Sequence, residues 1–137
     1  MRVFQKELKV RTRKLYDFAK ITNKTKKLVN ESKIKNGIIF INSLHTTTAI
    51  ILQEDDRTVH EDLIDSLDRL FPENLKYKHN YEGNVNSTAH QKSNFLGNSV
   101  SVPLENNGII LGSWQDIFLV ELFEPREREI VITIIGE

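Results

Sequence analysis

The chain contains no cysteine. Disulfide staples, thiolate zinc sites and cysteine nucleophiles are therefore excluded together. It also lacks an excess of either charge, with 19 basic residues against 19 acidic ones in 137. A general nucleic-acid binder or a protein docking on an anionic membrane would show a basic surplus, so neither partner is expected. No apolar run approaches the roughly 18 residues of a membrane-spanning helix. The opening residues Met1 to Glu7 hold nothing of signal-peptide kind, and the expected location is the cytoplasm. Walker, dinucleotide-binding, Gly-x-Ser-x-Gly and His-Glu-x-x-His patterns are also missing.

What remains is a length suited to one domain, residues 1–137, able to bury roughly 68% of the surface of its unfolded chain. Val3 to Arg11 alternates, with Phe4, Leu8 and Val10 on one side and Lys6 as an imperfection, which predicts a half-buried strand. A helix is expected after Thr22, an N-cap candidate, ending before Asn36-Gly37. Gly37 to Ile41 and Thr46 to Leu52 read as strands. Asp56 is placed to cap a second helix, in which Val59, Leu63, Ile64, Leu67 and Leu70 recur at three- and four-residue steps until Pro72. Glu73 to Asn94 is polar and weakly periodic, and reads as a long functional loop. Strands around Val100, Ile109, Trp114 to Phe123 and Glu129 to Ile135 follow, with a hairpin signal at Asn106-Asn107-Gly108. Short turns between them predict antiparallel pairing. The expected fold is α+β: antiparallel, sandwich-like sheets with two main helices.

Chemistry-bearing residues gather in a few segments. His45 follows a strand and precedes Thr46, Thr47 and Thr48. His79 and His90 flank the polar stretch. Three neutral imidazoles are a sufficient ligand set for a catalytic zinc with an open position, although their spacing adds no support, and three unrelated histidines would look the same. His60 falls inside the second helix and reads as a surface or boundary residue. Glu54, Asp55 and Asp56 complement a helix N-terminus; Glu54 is also available as a general base or as a group orienting a histidine. Gly112-Ser113-Trp114-Gln115 interrupts an apolar run, as a bulge with a core Trp or as a close backbone approach aiming Gln115 into a site. Arg126 and Arg128 share one strand face. They could grip one anion, or form a solvated face paired with Glu124 or Glu129.

Taken in order, these segments resemble one family. Ser43-Leu44-His45-Thr46-Thr47-Thr48-Ala49, Gln53-Glu54-Asp55-Asp56, Tyr77-Lys78-His79, Ala89-His90-Gln91-Lys92-Ser93, Leu96-Gly97-Asn98-Ser99, Gly112-Ser113-Trp114-Gln115 and Pro125-Arg126-Glu127-Arg128 are similar to the motifs of the YjbQ-like family, often labelled secondary thiamine-phosphate synthase. The resemblance runs from about Gly37 to the end of the chain. Two departures stand out. Ser113 replaces a threonine, and Asn84 to Thr88 is neutral where relatives often carry an aspartate before the Ala-His pair.

The resemblance implies a homotrimer with sites near subunit boundaries and a small phosphorylated substrate. It implies a metal on His45, His79 and His90, expected to be zinc, with magnesium as the alternative for a diphosphate. The implied reaction transfers a pyrimidine-methyl group from its diphosphate to thiazole phosphate. Glu54, Gln115 and Arg126 would be catalytic, and Thr46, Thr47, Trp114 and Arg128 would bind substrate. A metal-dependent hydrolase and a non-catalytic metabolite-binding trimer are the alternatives.

Overall fold

The computed structural model describes residues Met1–Glu137. Eight strands and three helices form an α+β domain with two antiparallel sheets. The first sheet has the order β1 (Arg2–Arg11), β8 (Glu127–Gly136), β3 (Gly37–Ser43), β5 (Ser99–Glu105), β6 (Gly108–Ile109). The second has the order β2 (Phe18–Lys20), β7 (Asp116–Glu121), β4 (Thr48–Gln53). No helix is long and apolar enough to cross a membrane.

Strand alternation explains the layering. Ile39, Ile41, Ile130, Ile132 and Ile134 point from the first sheet onto Ile50, Ile117 and Leu119 of the second, forming the main core with Leu28 and Val29 of α1 (Thr22–Ser32). The intervening residues Ala49, Phe118 and Val120 point the other way, onto Leu67 of α2 (Arg57–Leu70) and Ala89 of α3 (Asn84–Leu96). The small sheet is thus the middle layer. β7 is buried on both faces by its own chain, so its apolar character needs no partner subunit to explain it. Burying each such Ile or Leu contributes roughly 1.5–3 kcal/mol. Gly37 and Gly136 pair across β3 and β8; a Cβ on either would lie 1.9 Å from a carbonyl oxygen of the opposing strand, so this close approach requires glycine.

Several expectations are corrected here. The polar stretch is not all loop: α3 occupies its second half. Its buried face is Asn86, Ser87, Thr88, Ala89, Lys92 and Ser93, so an apolar period had little to show. Three helices stand where two were expected. Thr22 does not cap α1; its hydroxyl donates to Asp116 Oδ1 (2.6 Å) and accepts from the Ile117 amide (2.9 Å), although the helix does end before Asn36, at a left-handed Lys33. β2 was not anticipated, β7 starts at Asp116 rather than Trp114, and Leu70 is exposed. Of the C-terminal strands only β5 and β6 pair as neighbours; β7 joins the second sheet and β8 inserts between β1 and β3. The expectation for Asp56 holds: its carboxylate accepts from the Thr58 and Val59 amides.

α3 is fastened to α2 by a buried lysine. Lys92 Nζ, its side chain 6% exposed, donates to Asp68 Oδ1 (3.0 Å) and to the Tyr16 hydroxyl, which itself donates to Asp68 Oδ1 (2.6 Å). Burial, the bond to Asp68 and nearby negative charge push the Tyr16 hydroxyl far up, so it stays protonated. For Asp68, burial acts against ionisation, but the hydrogen bonds from Tyr16 and Lys92 outweigh it and hold the carboxyl below its ordinary value of 3.8. A depressed folded value means stabilisation that is complete above 3.8 and is lost as pH falls through the folded value. Asp68→Asn is expected to cost about 1 kcal/mol at neutral pH, the low end for a charged hydrogen bond because the carboxylate is half exposed. Urea unfolding at about pH 7 and about pH 2.5 checks this: the gap to the parent should close at the acid end, and an equal gap at both would contradict it.

Candidate functional site

A hollow of about 270 Å³ opens beside the β3–β4 connection, lined by His45, Thr46, Thr47, Glu82, Asn86, His90, Arg126 and Arg128 among others. The connection is held by short polar bonds. The Asn98 amide donates to the His45 carbonyl (2.9 Å), the Ser43 and Thr48 hydroxyls meet at 2.6 Å, and the Leu44 amide donates to the Glu129 carbonyl (3.1 Å). The loop bearing His45 and the start of α3 bearing Asn86 and His90 are thereby brought to opposite sides of one depression.

His79, Glu82 and His90 converge. One ligand atom from each lies within 4.8 Å of the others. The His79 and His90 rings sit edge to face at 4.9 Å. His90 Nδ1 lies 3.2 Å from the Thr46 carbonyl. A carbonyl can only accept, so Nδ1 carries the proton and Nε2 is left with its lone pair, the state a metal ligand needs. His79 Nε2 is buried and has no hydrogen-bond partner; its nearest acidic atom, Glu82 Oε2, is 3.6 Å away. This donor set, two imidazoles and a carboxylate, fits a divalent transition ion such as zinc.

His45 lines the same hollow but stands outside that cluster. Its Nε2 is 2.7 Å from Glu129 Oε2 and 2.9 Å from the Glu129 amide. The amide can only donate, which suits a lone pair on Nε2, whereas the ionised carboxylate can only accept, which suits a proton there, so the two contacts favour opposite states of the ring. Protonation of His45 would place its imidazolium directly against the Glu129 carboxylate. Thr46 contributes its carbonyl to His90, and the Thr47 hydroxyl accepts from Arg128 Nη2 (3.1 Å).

The two arginines differ. Arg128 is 1% exposed and makes a two-pronged pair with Glu121, itself fully buried, through Nε to Oε1 (2.8 Å) and Nη2 to Oε2. The Thr12 hydroxyl also donates to Glu121 Oε1 (2.7 Å). Arg126 precedes β8, is half-buried with its guanidinium open to solvent, and pairs with Glu124. Both line the hollow, yet each guanidinium already has a carboxylate partner.

Three further candidates lie apart from the hollow's lining. Gln115 accepts from the Gly112 amide (2.8 Å) and closes its own turn, and Trp114 is 75% exposed, neither a core residue nor a wall of the hollow. The Glu54 carbonyl accepts from His60 Nε2 (2.9 Å). His60, read as a surface or boundary residue, is buried and stacked on Phe18 at 4.1 Å. Residues that sequence reasoning passed over as site groups are Glu82, Asn86 and Glu129. Asn86 sits four positions before His90, a spacing that would have signalled a shared face had the helix been recognised, whereas His79 and Glu82 lie in the turn before α3 and carry no helical signal.

The buried pair and the exposed pair should behave oppositely. Glu121→Ala strands Arg128 in the interior and is expected to lower stability by about 3–5 kcal/mol. Arg126→Ala should change stability by no more than about 0.5 kcal/mol. Denaturant melts of the two variants check this, and equal losses would contradict it.

Comparison with known proteins agrees with this architecture. The family model described as "UPF0047 protein YjbQ-like" matches residues 6–137. A UPF0047 protein of Archaeoglobus fulgidus is 34% identical over 126 residues, covering 92% of this chain and 97% of that protein. The UPF0047 protein YugU of Bacillus subtilis is 33% identical over 132 residues, covering 96% and 98%. Among solved structures, a YbjQ-like protein of unknown function from Sulfolobus solfataricus superposes with a TM-score of 0.93 at 34% identity, covering 99% of each chain. A hypothetical protein from Aeropyrum pernix gives 0.90 at 28% identity, covering 98% of this chain and 99% of that one. These names state no reaction. A model match across nearly the whole chain, with relatives of this identity and coverage, means that the chain belongs to the UPF0047 YjbQ-like family.

Proposed function

We propose that the protein is a metal-dependent enzyme that hydrolyses a small phosphorylated metabolite in the hollow between His45, His90 and Arg126. The observation that carries this reading is the convergence of His79, Glu82 and His90, with the His90 tautomer set by the Thr46 carbonyl. His79, Glu82 and His90 would hold the ion, zinc by donor type, with magnesium the alternative for a diphosphate. Such an ion supplies Lewis acidity toward a phosphoryl oxygen and lowers the pKa of bound water.

The protein groups divide the remaining work. His45 accepts a proton from the attacking water, and the Glu129 carboxylate 2.7 Å from its ring stabilises the imidazolium that forms. Arg126 exchanges Glu124 for a substrate phosphate at the rim. Arg128, already neutralised, positions Thr47 rather than meeting the substrate as a free cation.

Transfer of a pyrimidine-methyl group from its diphosphate to thiazole phosphate is the second reading. It is favoured by the placement of Arg126, Thr46 and Thr47 on the same hollow, where they could orient two phosphorylated partners. Gln115, Trp114 and Glu54 have no part in either reading within one chain. A homotrimer belongs to the proposal as well. Val3, Ile135, Ile38 and Pro103 are register partners across β1, β8, β3 and β5 and form an apolar row on the outer face of the first sheet, beside the exposed Phe40.

Protein prepared without a histidine tag is expected to carry a metal that His90→Ala loses. His45→Ala should keep the metal and lose about 10²–10⁴-fold in rate. Metal analysis is run beside two assays, phosphate release from phosphorylated metabolites and thiamine phosphate formation from its two precursors. Full activity in both His45→Ala and His90→Ala would place the chemistry elsewhere, and thiamine phosphate formation without phosphate-ester hydrolysis would select the second reading. Light scattering at micromolar concentration should give a trimer mass; a monomer would remove that part of the proposal.

A further inference from the structure

The protein has two buried side-chain polar atoms without a hydrogen-bond partner, His79 Nε2 and Asn86 Oδ1. Both belong to the candidate site. Asn86 is 4% exposed and lines the hollow with Glu82 and His90; it precedes His90 by one helical turn and shares its face of α3. Elsewhere in the domain buried polar groups such as Thr12, Thr22, Ser93 and Arg128 all have partners. Two orphans that each neighbour Glu82 and His90, one in the cluster and one in the hollow, point to a species bound between them.

The donor chemistry says what the species is. An amide oxygen can only accept. The Glu82 carboxylate only accepts when ionised. His90 Nε2 presents a lone pair because Nδ1 gives its proton to the Thr46 carbonyl. His79 Nε2 finds neither a donor nor an acceptor among the protein groups around it. Three groups that offer lone pairs, beside a buried imidazole nitrogen that no protein group satisfies, are satisfied together by a cation.

We infer that Asn86 Oδ1 is a fourth protein donor to the ion at His79, Glu82 and His90. This rests on the metal reading above and goes beyond it in assigning Asn86 and the charge of the complete site. The set is two imidazole nitrogens, one carboxylate oxygen and one amide oxygen. It suits a first-row divalent ion of borderline hardness. Because Glu82 is the single charged ligand, a divalent ion keeps a net positive charge of one. The loaded site therefore attracts an anion to its open position, which is how a phosphorylated ligand would be selected.

The test uses the full chain, stripped with a chelator and titrated with zinc against a chromophoric competitor, for the parent, Asn86→Ala, Asn86→Asp and His90→Ala. Asn86→Ala is expected to weaken zinc by about tenfold or more. Asn86→Asp keeps an oxygen and adds a charge, so it should bind zinc more tightly than the parent and, once loaded, bind inorganic phosphate more weakly. Metal-free Asn86→Ala should be at least as stable as the parent, because the orphaned oxygen is gone; a structural role for Asn86 would make it less stable. Zinc binding equal to the parent in both Asn86 variants, with His90→Ala abolishing it, would overturn this inference and leave the metal reading intact. A parent that binds no zinc would overturn the metal reading itself.

Discussion

The Arg128–Glu121 pair is the contact on which the arrangement of the site depends. Glu121 ends β7 in the small sheet and Arg128 begins β8 in the large one, so their two-pronged bond fixes the corner where the chain passes between sheets. Thr12, just beyond β1, and Thr47, just before β4, complete its hydrogen bonds. A buried pair of this kind adds little net stability over an apolar replacement, because desolvation offsets the attraction. Its effect is geometric. Arg128 is followed by Glu129, which faces His45, and Thr47 is preceded by Thr46, whose carbonyl sets the His90 tautomer. One buried contact thereby places the carboxylate that meets His45 and the carbonyl that meets His90.

The second element of the site, α3, is an unusual helix to bury. Glycine precedes it, no side chain caps it, and its inward face is mostly polar. Each buried polar group there needs a partner, and nearly all find one: the Ser93 hydroxyl donates to the Thr48 carbonyl (2.6 Å), and Lys92 is held by Asp68 and Tyr16. These bonds fix the rotation and height of the helix more tightly than slippery apolar contacts would. Asn86 and His90 inherit that placement.

This explains which parts of the protein were legible in the sequence. The strands showed themselves where apolar residues alternate, as in β1, or run nearly unbroken, as in Ile38 to Ile41 of β3 and Ile130 to Ile135 of β8. Asp56 and Pro72 marked the ends of α2. α3 was hidden because its core face is written in Asn, Ser, Thr and Lys, a composition that also describes loops. The site was visible as three histidines and two arginines, and four of those five side chains line the hollow, with His79 joining through Glu82 and His90. Their roles were not visible. Whether Arg128 is free or neutralised depends on Glu121, seven residues back in another sheet, and whether His45 faces a metal or a carboxylate depends on how β8 lies against the β3–β4 loop. Such facts are set by tertiary register and have no local signature.

The charge balance of the hollow supplies an order of events. Arg128 is neutralised by Glu121 and Arg126 by Glu124. Glu82 and Glu129 remain, each facing a histidine that carries charge only when protonated. With neutral imidazoles the hollow and its Glu129 border are therefore negative before any cation binds, a charge that would repel a phosphate and attract a divalent cation. Once a cation sits between His79, Glu82 and His90 the sign at that end reverses, and Arg126 can give up Glu124 for the arriving anion. Under the proposed function the cation would therefore come first. A phosphorylated ligand that bound equally well with and without the ion would be using charges other than the ones gathered here.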